Sequence, residues 1–249
     1  MKHGWWLLGC WCGWLSSAPL TLVTGDYSPY SGADLPEGGQ STRLVTRVLH
    51  TAGYHDLAVD YLPWARGYQQ ALNGLATATY PYARTREREL DFYYSDPIHL
   101  DHLSWFTYRG SQAVLDGRWQ GLKVCMPLGW SSSNFDSVVK QFGLIVQSPK
   151  TLTQCLQLLA RQRVDLITMN DAVMADASLQ AFGDPCHLQP LPYFREAEAL
   201  YLIVSRKLPD GADVVRRFNR ALATLHANGS YDELVGGRNG GRCHLWQKK

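Results

Sequence analysis

Long apolar runs, a dominant charge and the short motifs of phosphate, hydrolase and metal chemistry are all missing from this chain, and each absence narrows what it can do. Its 249 residues carry a net charge of only +2. No stretch interleaves basic residues with stacking aromatics, so the electrostatic footprint of a nucleic-acid binder is missing. Gly32, Gly38 and Gly39 form no dinucleotide-binding pattern, and Gly236-Gly237 and Gly240-Gly241 come after the last helical stripe instead of joining a strand to a helix. No G-x-S-x-G elbow and no H-E-x-x-H helix occurs. Beyond the first residues, no segment of membrane-spanning length is free of charge. There is no internal repeat and no low-complexity linker.

What is present is ample apolar material: 45% of the residues are hydrophobic, enough for a packed core in one domain or two modest ones. The opening MKHGWWLLGCWCGWLSSA sets Lys2 before a short apolar run and ends in Ser16-Ser17-Ala18, the pattern of an export signal cleaved after Ala18. Residues 1–18 are therefore expected to be a leader and the mature protein to be periplasmic. Leu7-Leu8-Gly9-Cys10 offers lipid attachment at Cys10 as the alternative.

Export brings an oxidising compartment. Cys125, Cys155, Cys186 and Cys243 remain after cleavage and allow three complete pairings, among which spacing does not choose. The dipeptides Cys186-His187 and Cys243-His244 raise zinc as one reading and a Cys186–Cys243 bridge as another. The expectation is no metal and no cofactor.

Strand and helix patterns alternate. LTLVT reads as a strand leaving through Gly25-Asp26 into a tyrosine-rich loop. Ser41 or Thr42 can cap a helix whose stripe is Leu44, Val45, Val48, Leu49 and Ala52, stopped by Gly53. LAVDYL is a strand, Pro63 opens a helix with Trp64, Ala65, Tyr68, Ala71 and Leu72 on its buried side, and LATATY is a third strand after Gly74. LSWFTYR is an extended run leaving this unit. From 110 to 190 a second α/β unit continues the chain, with strands near 122–126, 143–147 and 164–169 and helices near 135–142, from Leu152, and over 171–179. EALYLIVSRK returns as a strand before a helix carrying Val214, Val215, Phe218, Leu222 and Leu225, ended by Asn228-Gly229. Such alternation predicts an α/β sheet that receives small ligands at its strand ends.

LATATYPYARTRERELDFYYSDP holds the most chemistry. Arg84 and Arg86 suit a solvated turn, whereas Arg88 comes after a strand and precedes YYSDP, where its guanidinium fork can hold a carboxylate with two charge-assisted hydrogen bonds. Tyr80 and Tyr82, with Tyr27 and Tyr30 of the first loop, can supply an apolar floor bearing hydroxyl groups.

GDYSPYS, PWARGYQQALNG, YPYARTRERELDFYYSDP and RQRVDLITMND, in that order, resemble the extracytoplasmic solute-binding proteins of bacterial amino-acid uptake, family 3, over about residues 20–235. The resemblance implies a type II periplasmic-binding fold. In it lobe 1 is discontinuous (19–108 and 192–249), lobe 2 spans 109–191, and the two are joined by two crossings that close over a solute for an ABC permease. By position it assigns Arg88 to the ligand carboxylate and Tyr27 and Tyr30 to its side chain. Ser131, Ser132 and Ser133 fall at a helix entry facing an anion, and Asn170 or Asp171 falls where an aspartate receives the ammonium. Tyr80-Pro81-Tyr82-Ala83 departs from the family's serine and threonine there, marking an atypical member. The expected function is binding of an amino acid or related carboxylate by a monomer, with no catalysis. Two alternatives are a periplasmic sensor that presents its closed form to a membrane receptor and an exported hydrolase using a cleft carboxylate.

Overall fold

The computed structural model describes residues 19–128, 130, 135–184 and 186–236. Its first half alternates β1 (Leu20–Thr24), α1 (Gln40–Thr51), β2 (Leu57–Tyr61), α2 (Trp64–Leu72) and β3 (Ala78–Ala83), and continues with α3 (Arg86–Asp91), β4 (Phe92–Tyr94) and the long β5 (His99–Tyr108). The second half comprises α4 (Gln112–Leu115), β6 (Lys123–Cys125), α5 (Asp136–Phe142), β7 (Ile145–Gln147), α6 (Leu152–Ala160), β8 (Leu166–Asn170), α7 (Asp171–Phe182) and β9 (Leu188–Pro190). The chain then returns through β10 (Glu196–Ser205) and ends its described part in α8 (Gly211–Ala227) and α9 (Ser230–Gly236).

One sheet runs through both halves in the order β2-β1-β3-β10-β5-β8-β6-β7, with β4 beside β10 and β9 beside β5. The outer strands of each half are parallel, as helical crossovers require. At the centre β5 and β10 lie antiparallel, Glu198 opposite Asp101 and Leu200 opposite His99. Because β5 also pairs with β8 and β10 also pairs with β3, these two strands carry the chain between the halves.

Each half has its own apolar interior. Leu22, Leu44, Val48, Leu202, Phe218 and Leu222 pack between the strands of the first half and helices α1 and α8. Trp105, Trp119, Val124, Phe135, Val138 and Leu166 fill one side of the second. Burial of each large side chain is worth about 1.5–3 kcal/mol, so both halves have cores of their own. On the other side of the second half, Cys125 at the end of β6 is bonded to Cys155 on α6. A bridge closing about 30 residues restrains the unfolded chain by roughly 3.6 kcal/mol. Cys186 is also disulfide-bonded, which removes the thiolate that a zinc reading of Cys186-His187 needs; Cys243 and His244 lie outside the described residues.

Local differences from the sequence expectation have identifiable causes. β3 begins at Ala78 instead of Leu75, because Ala78 is the first residue to register with β1, opposite Leu22, while Leu75 stays exposed. Gly39, at φ 95°, takes the helix-start position in front of α1; a Cβ there would lie 2.5 Å from the Tyr30 carbonyl oxygen. Ser41 and Thr42 are inside the helix and serve the interior instead: Ser41 Oγ is 2.8 Å from His99 Nε2 and Thr42 Oγ1 accepts from Tyr80 Oη at 3.3 Å. The arginine-rich turn contains a short helix, α3, whose cap Thr85 accepts from the Arg88 N–H at 3.3 Å.

Pro81 decides which way the tyrosines on either side of it face. It cannot donate to the ladder, and the register of β3 against β10 shifts there, from Tyr82 opposite Tyr201 to Thr79 opposite Ile203. On a regular strand Tyr80 and Tyr82 would share a face. The extra residue reverses the parity, so Tyr80 packs with α1 and α8 while Tyr82 joins the cluster of Val23, Ala71 and Phe92 beneath α2.

His99, at the start of β5, is buried and neutral, its imidazole lowered to about 3 by loss of water. The unfolded chain binds a proton at about pH 6.5 that the folded protein refuses until about pH 3, so this group removes stability as pH falls through that window, by up to about 1.4 kcal/mol per pH unit. Urea unfolding between pH 7 and 5 is expected to show a shallower loss in His99→Gln than in the parent protein.

Candidate functional site

A cleft of about 480 Å³ opens between the two halves, floored by the central strands. From the first half Trp64, Tyr68, Tyr82 and Arg88 line it; Met126, Trp130, Phe135 and Asn170 line it from the second, and Leu103, Glu198 and Leu200 from β5 and β10. Its size and its aromatic lining with few polar groups suit a small organic molecule.

Arg88 is half-buried. Its Nη1 donates to the Ala83 carbonyl at 3.0 Å, and its guanidinium carbon sits 4.9 Å from the centre of the Tyr82 ring and 6.0 Å from that of Tyr68. A fork held by one carbonyl and the faces of two rings is restrained without a carboxylate partner among the described residues, so it can meet a ligand carboxylate at little entropic cost. Burial pushes the Tyr82 hydroxyl up to about 12, with Arg88 opposing the rise, so it is a neutral hydrogen-bonding group.

Trp64 stands at the start of α2 because Gly25 leaves room for it: a Cβ on Gly25 would fall 2.7 Å from the indole. The indole Nε1 donates to the Asp26 carbonyl at 3.1 Å, and its ring meets Tyr27 and Tyr82 edge-on at 6.0 and 5.4 Å. Tyr27 also meets Trp130 of the second half edge-on at 5.6 Å, and its hydroxyl donates to Asn170 Oδ1. The first loop thus touches the second half across the cleft. Burial raises the Tyr27 hydroxyl well above its ordinary value, with Glu198 and Asp101 adding to the rise.

Asn170 closes β8 and hands that contact on, its Nδ2 donating to Glu198 Oε2 at 2.6 Å. Glu198 reaches the cleft from β10, while its cross-strand neighbour Asp101 accepts from Tyr30 Oη at 2.6 Å. Burial raises both carboxyls above the ordinary carboxylate range. For Glu198 the Asn170 hydrogen bond opposes the rise, Asp101 adds to it, and Arg88 lowers it again.

Of the residues singled out in the sequence, Arg88, Tyr27, Tyr82 and Asn170 line this cleft. Three do not. Tyr80 is buried in the first core because the strand parity reverses at Pro81. Tyr30 is buried beside His99 with its hydroxyl on Asp101. Asp171, the first residue of α7, accepts from Arg195 Nη2 at 2.7 Å. Ser131, Ser132 and Ser133 lie outside the described residues. Arg84 stacks on Tyr94 and Tyr201 and pairs with Glu89 at 3.4 Å, away from the cleft. Sequence reasoning missed Glu198, Trp130 and the cleft role of Trp64. The one signal for Glu198 was acid at alternate positions, 196 and 198, running into the buried stretch of β10.

Among the described residues no cluster of three or more His, Cys, Asp or Glu side chains is placed to hold a metal, and no helix is long and apolar enough to cross a membrane. No protein-family model matches the chain and no curated protein does. Solved structures do. The glutamate-bound ligand-binding core of GluR0 from Nostoc punctiforme aligns with a TM-score of 0.73 at 18% identity, over 88% of this chain and 98% of that one. The arginine-, lysine-, histidine-binding protein ArtJ from Geobacillus stearothermophilus aligns at 0.74 and 18% identity, over 92% and 98%. An arginine transport-system periplasmic binding protein from Legionella pneumophila aligns at 0.74 and 15% identity, over 89% and 99%. The chain has the type II periplasmic-binding fold. In the terms of that fold, the halves are its two lobes, β5 and β10 are the two crossings, and the aromatic cleft lies between the lobes.

Because burial raises Glu198, the ligand-free protein loses stability as pH rises through the raised value, where the folded carboxyl must ionise without full hydration. Glu198→Gln is expected to melt at a higher temperature than the parent at pH 8, the gap closing towards about pH 4 where the carboxyl is protonated in both folded and unfolded chains. Thermal scans at both pH values without ligand check this.

Proposed function

We propose that this protein is an extracytoplasmic solute-binding protein that captures a small carboxylate, an amino acid or a near relative, and presents the closed form to an ABC permease. Its lobes are assigned as 19–108 with 192–249, and 109–191, behind a leader of residues 1–18. The observation that carries the reading is a guanidinium held half-buried by Ala83 and Tyr82 at an aromatic-walled cleft between lobes. Further support comes from the fold neighbours, which include the substrate-binding protein of an amino acid ABC transporter and an ancestral arginine-binding protein bound to arginine.

The mechanism needs no bond making. Arg88 takes the carboxylate in lobe 1, the rings of Trp64, Tyr68 and Tyr82 displace water, and closure brings Trp130 and Asn170 against the same molecule. Removing bulk water strengthens the ionic contacts, and a ligand that touches both lobes shifts the population towards the closed form by its differential affinity. A hydrolytic reading has less support. Glu198 lines the cleft from the crossings while Asp101 is engaged by Tyr30, and Glu87 at the rim is an exposed residue of α3, so among the described residues no buried carboxyl pair flanks a bond.

Calorimetric titration with a panel of amino acids and organic acids tests the reading. Arg88→Ala is expected to weaken the best carboxylate ligand by about a hundredfold, the loss of a charge-assisted bidentate contact. Unchanged affinity rejects Arg88 as the clamp.

A further inference from the structure

Cys186 holds the lobe 2 end of a disulfide whose other end is not yet assigned. It is buried and disulfide-bonded, while Cys125 and Cys155 are bonded to each other. Its partner is therefore Cys10, Cys12 or Cys243, all outside the described residues. Cys10 and Cys12 fall in the leader assigned to residues 1–18 and would leave with it. Cys186 is firmly placed. Its N–H donates to Asp184 Oδ1 at 2.8 Å, its carbonyl accepts from Arg109 Nη2 at 2.8 Å, and Ser178 of α7 donates to the Asp184 carbonyl at 2.7 Å.

In lobe 1 the described chain ends at Gly236, the last residue of α9. That end is anchored: Arg43 Nη2 donates to the Leu234 carbonyl, and Tyr231 Oη donates to the Ile98 carbonyl at 2.9 Å. It stands at the rim of a second hollow, of about 830 Å³, which shares no described lining residue with the cleft. Leu100, His226 and Val235 border this hollow from lobe 1, and Ala172 of α7 borders it from lobe 2. Leu100 is 80% exposed there, an apolar side chain with little cover. From Ala172, α7 leads to the turn that holds Cys186; its 12 residues span about 18 Å. Seven residues separate Gly236 from Cys243, and extended they reach about 23–25 Å, further than the helix is long.

We propose that Cys243 is the partner of Cys186, and that residues 237–243 form a strap that crosses this hollow and ties the end of lobe 1 covalently to lobe 2. Charge favours that path. The two cations of the strap, Arg238 and Arg242, meet an exposed acid at each end of it, Asp96 on the hollow and Asp184 beside Cys186. Forming the bond takes two protons and two electrons from the paired thiols. They pass to a disulfide oxidant of the extracytoplasmic compartment, which becomes a dithiol. The strap is a third connection between the lobes besides β5 and β10, and it limits their separation without entering the cleft. This inference goes beyond the solute-binding reading and shares with it only the assignment of the leader.

The mature protein, residues 19–249, is to be recovered from an oxidising periplasm and digested with trypsin without reduction. Mass spectrometry is expected to find residues 164–195 joined to 243–248, and 124–140 joined to 151–161. Cys186 recovered as a free thiol, or joined to any other cysteine, overturns the proposal. Two variants test the strap itself: Cys186→Ser with Cys243→Ser, and Cys186→Ser in a chain ending at Gly236. Without ligand, both are expected to melt at least about 5 °C below the parent. Small-angle scattering should give both a larger radius of gyration, and amide exchange over 96–100 and 230–236 should quicken about tenfold. The second variant keeps the test open should the double substitution fail to fold. Cys125→Ser with Cys155→Ser, which cuts a bond inside lobe 2, should leave the radius and that exchange as in the parent. A radius and exchange pattern unchanged from the parent in the folded strap variants overturns the strap. None of these measurements uses a ligand, so the carboxylate reading stands or falls separately, by the titrations.

Discussion

Everything at the cleft depends on the antiparallel pairing of β5 and β10. These two ten-residue strands belong to both halves at once, β5 by its ladder to β8 and β10 by its ladder to β3. Because they are the two crossings, the space between the lobes is bounded on one side by strand residues whose register is fixed, while the other walls belong to the two lobes. Fixing Glu198 opposite Asp101 sets an acid at the floor of that space. A slip of one residue would turn Glu198 to the other face and bring an alanine in its place.

A second constraint is the irregularity at Pro81. A proline within a strand costs a ladder hydrogen bond, and here the ladder is already displaced at that point. The displacement separates two tyrosines that a regular strand would keep together, one serving the core between α1 and α8, the other stacking under Arg88 at the cleft. The glycine before the first loop acts in the same way on Trp64, by being too small to hold it off. The aromatic wall therefore comes from backbone features as much as from the rings themselves.

Much of this architecture is legible in the sequence and some is not, for physical reasons. Alternating stripes such as Leu44, Val45, Val48 and Leu49, or Val214, Val215, Phe218 and Leu222, announce the helices, because helical periodicity is a local property. The alternation of elements points to the α/β class, and the resemblance points to the two-lobed fold. Arg88 stands out because a charged fork lies between a strand and YYSDP. Tyr80 is misplaced by strand periodicity because parity is lost at a bulge that depends on the partner strand. Ser41 and Thr42 look like caps because local rules cannot see His99, 58 residues away in sequence from Ser41. Glu198 escapes notice since an acid in a strand acquires meaning only from its neighbours across the sheet, and Trp130 since its partner Tyr27 lies in the other lobe.

The most direct measurement is a crystal structure of the mature protein grown with the amino acid that most raises its melting temperature. The account predicts closed lobes with the ligand carboxylate paired to the guanidinium of Arg88, enclosed by Trp64, Tyr82 and Trp130. A ligand bound outside this cleft, or one inside it with its carboxylate away from Arg88, would contradict the account.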